Sequence, residues 1–131
     1  MDIFVSFQSD AEKNQISHVL NTLQNFYTTY VSLDFDKQND EEEIKQIKES
    51  KLFVALVTPS FLNSDKCMMQ LKCALKYSKK VYILENEHFK IPLETVEEFK
   101  LNSINCAIIK FKSDETNHND KIINIISYYL K

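Results

Sequence analysis

Not one of the 131 residues is glycine. Phosphate-cradling loops of the GxGxxG and GxxxxGK(S/T) kinds need glycine where the backbone turns sharply or approaches a phosphate closely. Both the dinucleotide fingerprint and the P-loop are therefore excluded at their first residue. What remains is read from hydrophobic patterning. Ile3 to Phe7 alternates, Leu52 to Thr58 is almost continuously apolar, and Cys106 to Phe111 is β-branched and apolar. Continuous apolar runs of this length are the mark of strands buried on both faces. Tyr30 to Phe35 and Lys80 to Leu84 give weaker strand signals.

Helical patterns lie between these runs. Ile16, Val19, Leu20, Leu23 and Phe26 or Tyr27 recur at helical spacing, behind a capping-box signature at Ser9-Asp10-Ala11-Glu12 that predicts a start near Ala11. Asp40 to Ser50 has its acids early and its lysines later, as the helix dipole prefers, with Ile44 and Ile47 on one face. Cys67, Leu71, Ala74 and Leu75 line a third helix; a short one covers Leu93 to Phe99; Ile122, Ile125, Ile126 and Tyr129 line the last. Lys112 to Asp120 reads as a polar surface loop. Strands alternating with helices predict one α/β domain over residues 1–131, a flavodoxin-like five-stranded parallel sheet of order 2-1-3-4-5 with helices on both faces.

Bulk properties narrow the setting. A 44% hydrophobic and 27% charged composition is that of an ordinary soluble globule. A net charge of −3 gives no electrostatic reason to expect nucleic acid. No apolar run approaches the roughly 20 residues that span a bilayer, so no membrane is expected. The N-terminus lacks the basic and apolar regions of a signal peptide. Three cysteines without a CxxC pair fit reduced thiols, and a cytoplasmic location is expected.

In an open parallel sheet a ligand binds beyond the carboxyl ends of the strands where strand order reverses, here between the first and third. The segments converging there resemble those of Toll/interleukin-receptor (TIR) domains. Asp2-Ile3-Phe4-Val5-Ser6-Phe7 is similar to the family's opening strand, and Leu33-Asp34 to the start of its BB loop. Ser50 to Ser64 resembles its third strand, and Ser64-Asp65-Lys66-Cys67-Met68-Met69-Gln70-Leu71 its catalytic helix. The likeness covers nearly the whole chain. It implies a stand-alone NAD-consuming protein, a glycohydrolase or cyclase that makes a nucleotide signal or depletes NAD in antiviral immune defence. NAD would be its substrate rather than a cofactor, and assembly of several TIR copies would complete the site.

Two positions depart from the family pattern. Lys66 stands where a tryptophan is usual and is expected to alter only a surface contact. Gln70 stands where the NAD-cleaving branch has its glutamate. An amide keeps the carboxylate's shape without the charge that stabilises a cation-like sugar, and losing one such contact costs about 10²-fold or more in rate. Gln70 is open to two readings: a glutamate exchanged in an otherwise active enzyme, or a native amide in a TIR adaptor or decoy that works by TIR–TIR assembly. A shifted register is a weaker explanation, since no Asp or Glu occurs from Cys67 to Leu84. A relative acting on a different nucleoside, of the deoxyribosyltransferase kind, is also open.

The remaining site residues follow from the resemblance. Ser6, Asp36 and Ser64 would line the site, and Phe7 would stack on nicotinamide or its ribose, a role weighed equally against core packing. Asp34 is read as a turn residue and Ser64 as a helix N-cap whose amides face a phosphate. Cys67 falls at the substrate site, although its pattern position favours the core. His18, His88 and His118 have no metal-ligand spacing, so no metal is expected.

Overall fold

The computed structural model describes residues 2–8, 17–31, 40–77, 79–86, 88–101, 103–111 and 116–130, with side chains at all of these except 116–119. Five strands form one parallel sheet of order β2-β1-β3-β4-β5. They are β1 (Ile3–Ser6), β2 (Thr29–Val31), β3 (Leu52–Val57), β4 (Lys80–Asn86) and β5 (Cys106–Phe111). Among the described residues six helices accompany them: α1 (Ser17–Phe26), α2 (Asp40–Glu49), α3 (Pro59–Leu62), α4 (Asp65–Lys76), α5 (Leu93–Phe99) and α6 (Thr116–Tyr129). The expected architecture and strand order are both present. The expected helix start near Ala11 and residues 32–35 of the expected second strand lie outside the described residues.

Strand side chains alternate between faces, and the alternation divides the core in two. Ile3, Val5, Phe7, Leu52, Val54, Leu56, Tyr82 and Leu84 pack with α1 and α6. Phe4, Phe53, Ala55, Val57, Val81 and Ile83 pack with α2, α4 and the elements around Leu101. On that second face the rings of Phe4 and Phe53 stack with centroids 5.5 Å apart, and Phe4 also stacks on Tyr30 at 5.1 Å. Cys67, Cys73 and Cys106 are buried thiols not joined in disulfides; burial pushes the Cys106 thiol up to about 11.

Two helical segments differ from the sequence expectation. The single turn α3 follows β3 directly: Thr58 caps it by accepting from Phe61 N–H at 3.1 Å, and Pro59 occupies its first position. Proline at that position after a threonine was a readable helix start. The stretch expected to be a polar loop is helical from Thr116, and α6 is two turns longer than its apolar stripe. Its first turn, Thr116-Asn117-His118-Asn119, has no apolar residue to reveal it.

The want of glycine tells at one described position. Lys100 ends α5 in the left-handed region at φ 54°, the one described residue with positive φ. Leu101 N–H then donates back to the Val96 carbonyl at 2.9 Å, closing a Schellman-type cap over the fully buried Leu101 side chain. A non-glycine residue there is strained by roughly 1 kcal/mol. Lys100→Gly should therefore stabilise the chain by about 0.5–1 kcal/mol, seen as a higher urea midpoint. A lower midpoint would mean that the lysine side chain contributes more than its backbone strain costs.

Candidate functional site

The carboxyl end of β1 meets the second face of the sheet at Ser6, which is fully buried. Parity decides this: Ser6 shares its side with Phe4 and looks towards α4, while Phe7 shares its side with Ile3 and Val5. Ser6 Oγ donates to Gln70 Oε1 at 2.6 Å. Gln70, 1% exposed on the inner face of α4, donates from Nε2 to Glu43 Oε2 at 2.8 Å. The other oxygen of Glu43 is paired with Lys66 Nζ at 2.9 Å. A continuous buried chain, Ser6–Gln70–Glu43–Lys66, thus crosses from β1 through α4 to the first turn of α2 and back to the first turn of α4.

Glu43 is the residue missed by sequence reasoning. The run Asp40-Glu41-Glu42-Glu43 was explained by the helix dipole alone, yet Glu43 is 4% exposed. The overlooked signal was its spacing: Glu43 stands four residues before the fully buried Ile47 and so belongs to the inward stripe of α2. Lys66 is corrected likewise. Its side chain is 14% exposed and closes the ion pair with Glu43, which is an internal role and not a surface contact. Near them burial, then the charges of Glu43 and Glu42, push the Tyr30 phenol up, so it stays protonated at neutral pH.

The other sequence-derived residues separate. Ser64 is the N-cap of α4, its Oγ accepting from Cys67 N–H at 3.2 Å. Cys67 is 2% exposed in the core, and its Sγ approaches Gln8 Oε1 at 3.5 Å. Phe7 is 1% exposed, packed in the layer beneath α1 and α6, which supports the core role and not stacking on a ligand. Asp34 and Asp36 lie outside the described residues.

A cavity of about 230 Å³ opens at the same rim, lined by Asp40, Asp65, Lys66 and Met69. That is below the roughly 300–1,000 Å³ of sites that enclose a drug-sized ligand. A whole dinucleotide does not fit inside it.

No protein-family model matches the chain, and no curated protein matches it. Solved structures do. The CMP N-glycosidase BcmB of Clostridium botulinum aligns with a TM-score of 0.65 and 22% identity, over 93% of this chain and 98% of that one. A flavodoxin-like domain from a Synechococcus protein aligns with a TM-score of 0.65 and 12% identity, over 98% and 95%. The TIR domains of the activated Roq1 resistosome, an assembly that directly recognises the pathogen effector XopQ, align with a TM-score of 0.56 and 19% identity, over 96% and 83%. At these identities the likeness is one of fold. Among the described residues no helix is long and apolar enough to cross a membrane.

Proposed function

We propose that the chain is a TIR-like domain that binds NAD or a related nucleotide at the carboxyl rim of β1 and β3. In this reading its N-glycosidic chemistry is held back by the amide at position 70, and association of copies completes the site. The observation that carries it is the buried Ser6–Gln70–Glu43–Lys66 chain at the reversal of strand order, where open parallel sheets take their ligands. A nucleotide N-glycosidase and TIR domains among proteins of the same fold support the substrate class.

The electrostatics explain why turnover should be slow. Departure of nicotinamide leaves positive charge on the ribose, which a net negative site would stabilise. Here the carboxylate of the hydrogen-bonded network, Glu43, is already matched by Lys66, and Gln70 adds no charge. The site binds without pulling. In a cell such a domain would serve nucleotide signalling or NAD control in antiviral defence, in the cytosol.

The adaptor reading has its own observation. The Gln70 amide is satisfied at both ends, its oxygen by a hydroxyl and its nitrogen by a carboxylate, which suits a native glutamine better than a replaced glutamate. Calorimetry with NAD, beside chromatography for released nicotinamide, separates the readings. Binding with little release is expected. A folded chain that shows no heat with NAD at any protein concentration would leave only the adaptor.

A further inference from the structure

The outer faces of α2 and α4 enclose an apolar groove of about 200 Å³, lined by Ile44, Met69, Lys72, Cys73, Lys76 and Tyr77. Its lining carries two lysines and no acid. Lys48 adds a third cation, its Nζ lying 4.8 Å from the centre of the Tyr77 ring, with Lys76 Nζ at 5.6 Å from the same ring. From Met68 to Leu84 there is no acidic residue at all. Whatever fills this groove must offer an apolar side chain to its floor and negative charge to its rim.

The same chain presents such a surface elsewhere. On α5 Leu93 is 69% exposed, and Glu94, Glu97 and Glu98 are all exposed beside it. Leu93 and Glu97, four residues apart, are neighbours on the helix surface, as are Glu94 and Glu98, so the exposed leucine borders an acidic arc along one side of α5. Groove and acidic face lie in the same helical layer, the groove between α2 and α4 and α5 beyond α4, with Lys72 between them: it lines the groove, and its Nζ lies 5.6 Å from the Phe99 ring of α5.

We infer that α5 of one copy docks into the α2–α4 groove of the next, with Leu93 in the groove and Glu94, Glu97 and Glu98 against Lys48, Lys72 and Lys76. The contact is heterologous, since two different surfaces meet, so copies add head to tail. Each added copy leaves one groove and one acidic face open. The inference gives surfaces to the assembly proposed above and is independent of the NAD chemistry. Because the charges sit at the surface, association weakens as ionic strength rises and the screening length falls below about 10 Å.

Sedimentation velocity of the whole chain tests this, with two charge-reversed variants. Lys72→Glu/Lys76→Glu makes both surfaces acidic; Glu94→Lys/Glu97→Lys makes both basic. The parent should associate with rising concentration at low ionic strength and come apart at high. Each variant alone should be monomeric, and an equimolar mixture should associate again, since each supplies the surface the other lacks. Leu93→Ala should weaken association with no change in charge. A parent that stays monomeric at low ionic strength, or variants that associate alone as well as the parent does, would overturn the docking mode. NAD calorimetry on the same samples keeps the two proposals apart: a monomer that binds NAD overturns only this contact. A charge-dependent assembly that ignores NAD keeps the contact and removes the nucleotide reading.

Discussion

Gln70→Glu should raise nicotinamide release from NAD by about 10²-fold or more over the parent chain. The variant carboxylate would replace an amide that already sits between Ser6 and Glu43, so no new geometry is needed, only a net negative charge. The same change has a cost that the structure makes specific. The amide nitrogen lies 2.8 Å from Glu43 Oε2, and two carboxyl groups at that separation cannot both ionise freely; they share a proton as a coupled pair. Free glutamates in the unfolded chain release their protons near pH 4.3. Above that pH the folded variant holds a proton that the unfolded chain has lost. Its stability relative to the parent therefore falls as pH rises from about 4.3, towards a deficit of about 3 kcal/mol. Activity moves the other way, since loss of the shared proton exposes the negative charge that the sugar cation needs. Nicotinamide release and urea midpoints, measured across a pH series, should have opposite slopes. A well-folded variant with flat, parent-level release at every pH would mean that position 70 does not face the reacting bond.

This coupling also shows where the sequence was readable and where it was not. Periodicity and continuous apolar runs carry the architecture because burial on two faces leaves a linear trace: Leu52 to Val57 is buried at every position. Gln70 was less legible: from pattern alone it stands beside the apolar face of Cys67, Leu71 and Ala74, ordinarily a solvated boundary position, yet the fold buries it to 1% exposure. Its partners were not legible. Glu43 lies 27 residues away along the chain, hidden in an acid run for which the helix dipole is a sufficient local reason. No acid occurs along the chain from Cys67 to Leu84, whereas the fold brings one from the neighbouring helix. Phe7 was undecided in sequence because a strand-end aromatic fits the core while the resemblance implied stacking on a ligand; only strand parity against the full core assigns the ring to the layer opposite Ser6.

The Glu43–Lys66 pair is the firmest departure from the sequence reading, and it has the second large consequence. Its members are 5% and 14% exposed at the side chain, so it cannot be treated as a surface ion pair worth a few tenths of a kcal/mol. Lys66→Met removes the cation while the carboxylate stays buried, and should cost about 3–5 kcal/mol in urea unfolding at neutral pH. Adding Glu43→Leu to it should return part of that loss. What then persists is about 1–3 kcal/mol for the Gln70 amide nitrogen, which no longer has its carboxylate acceptor. The double variant should thus be more stable than the single one, the pattern of a buried pair whose separate members are costly alone. A Lys66→Met variant within about 0.5 kcal/mol of the parent, the range of ordinary surface changes, would return Lys66 to the surface role the sequence suggested. It would also remove the argument that Glu43 is already neutralised, leaving its carboxylate available to the sugar cation in the parent chain itself.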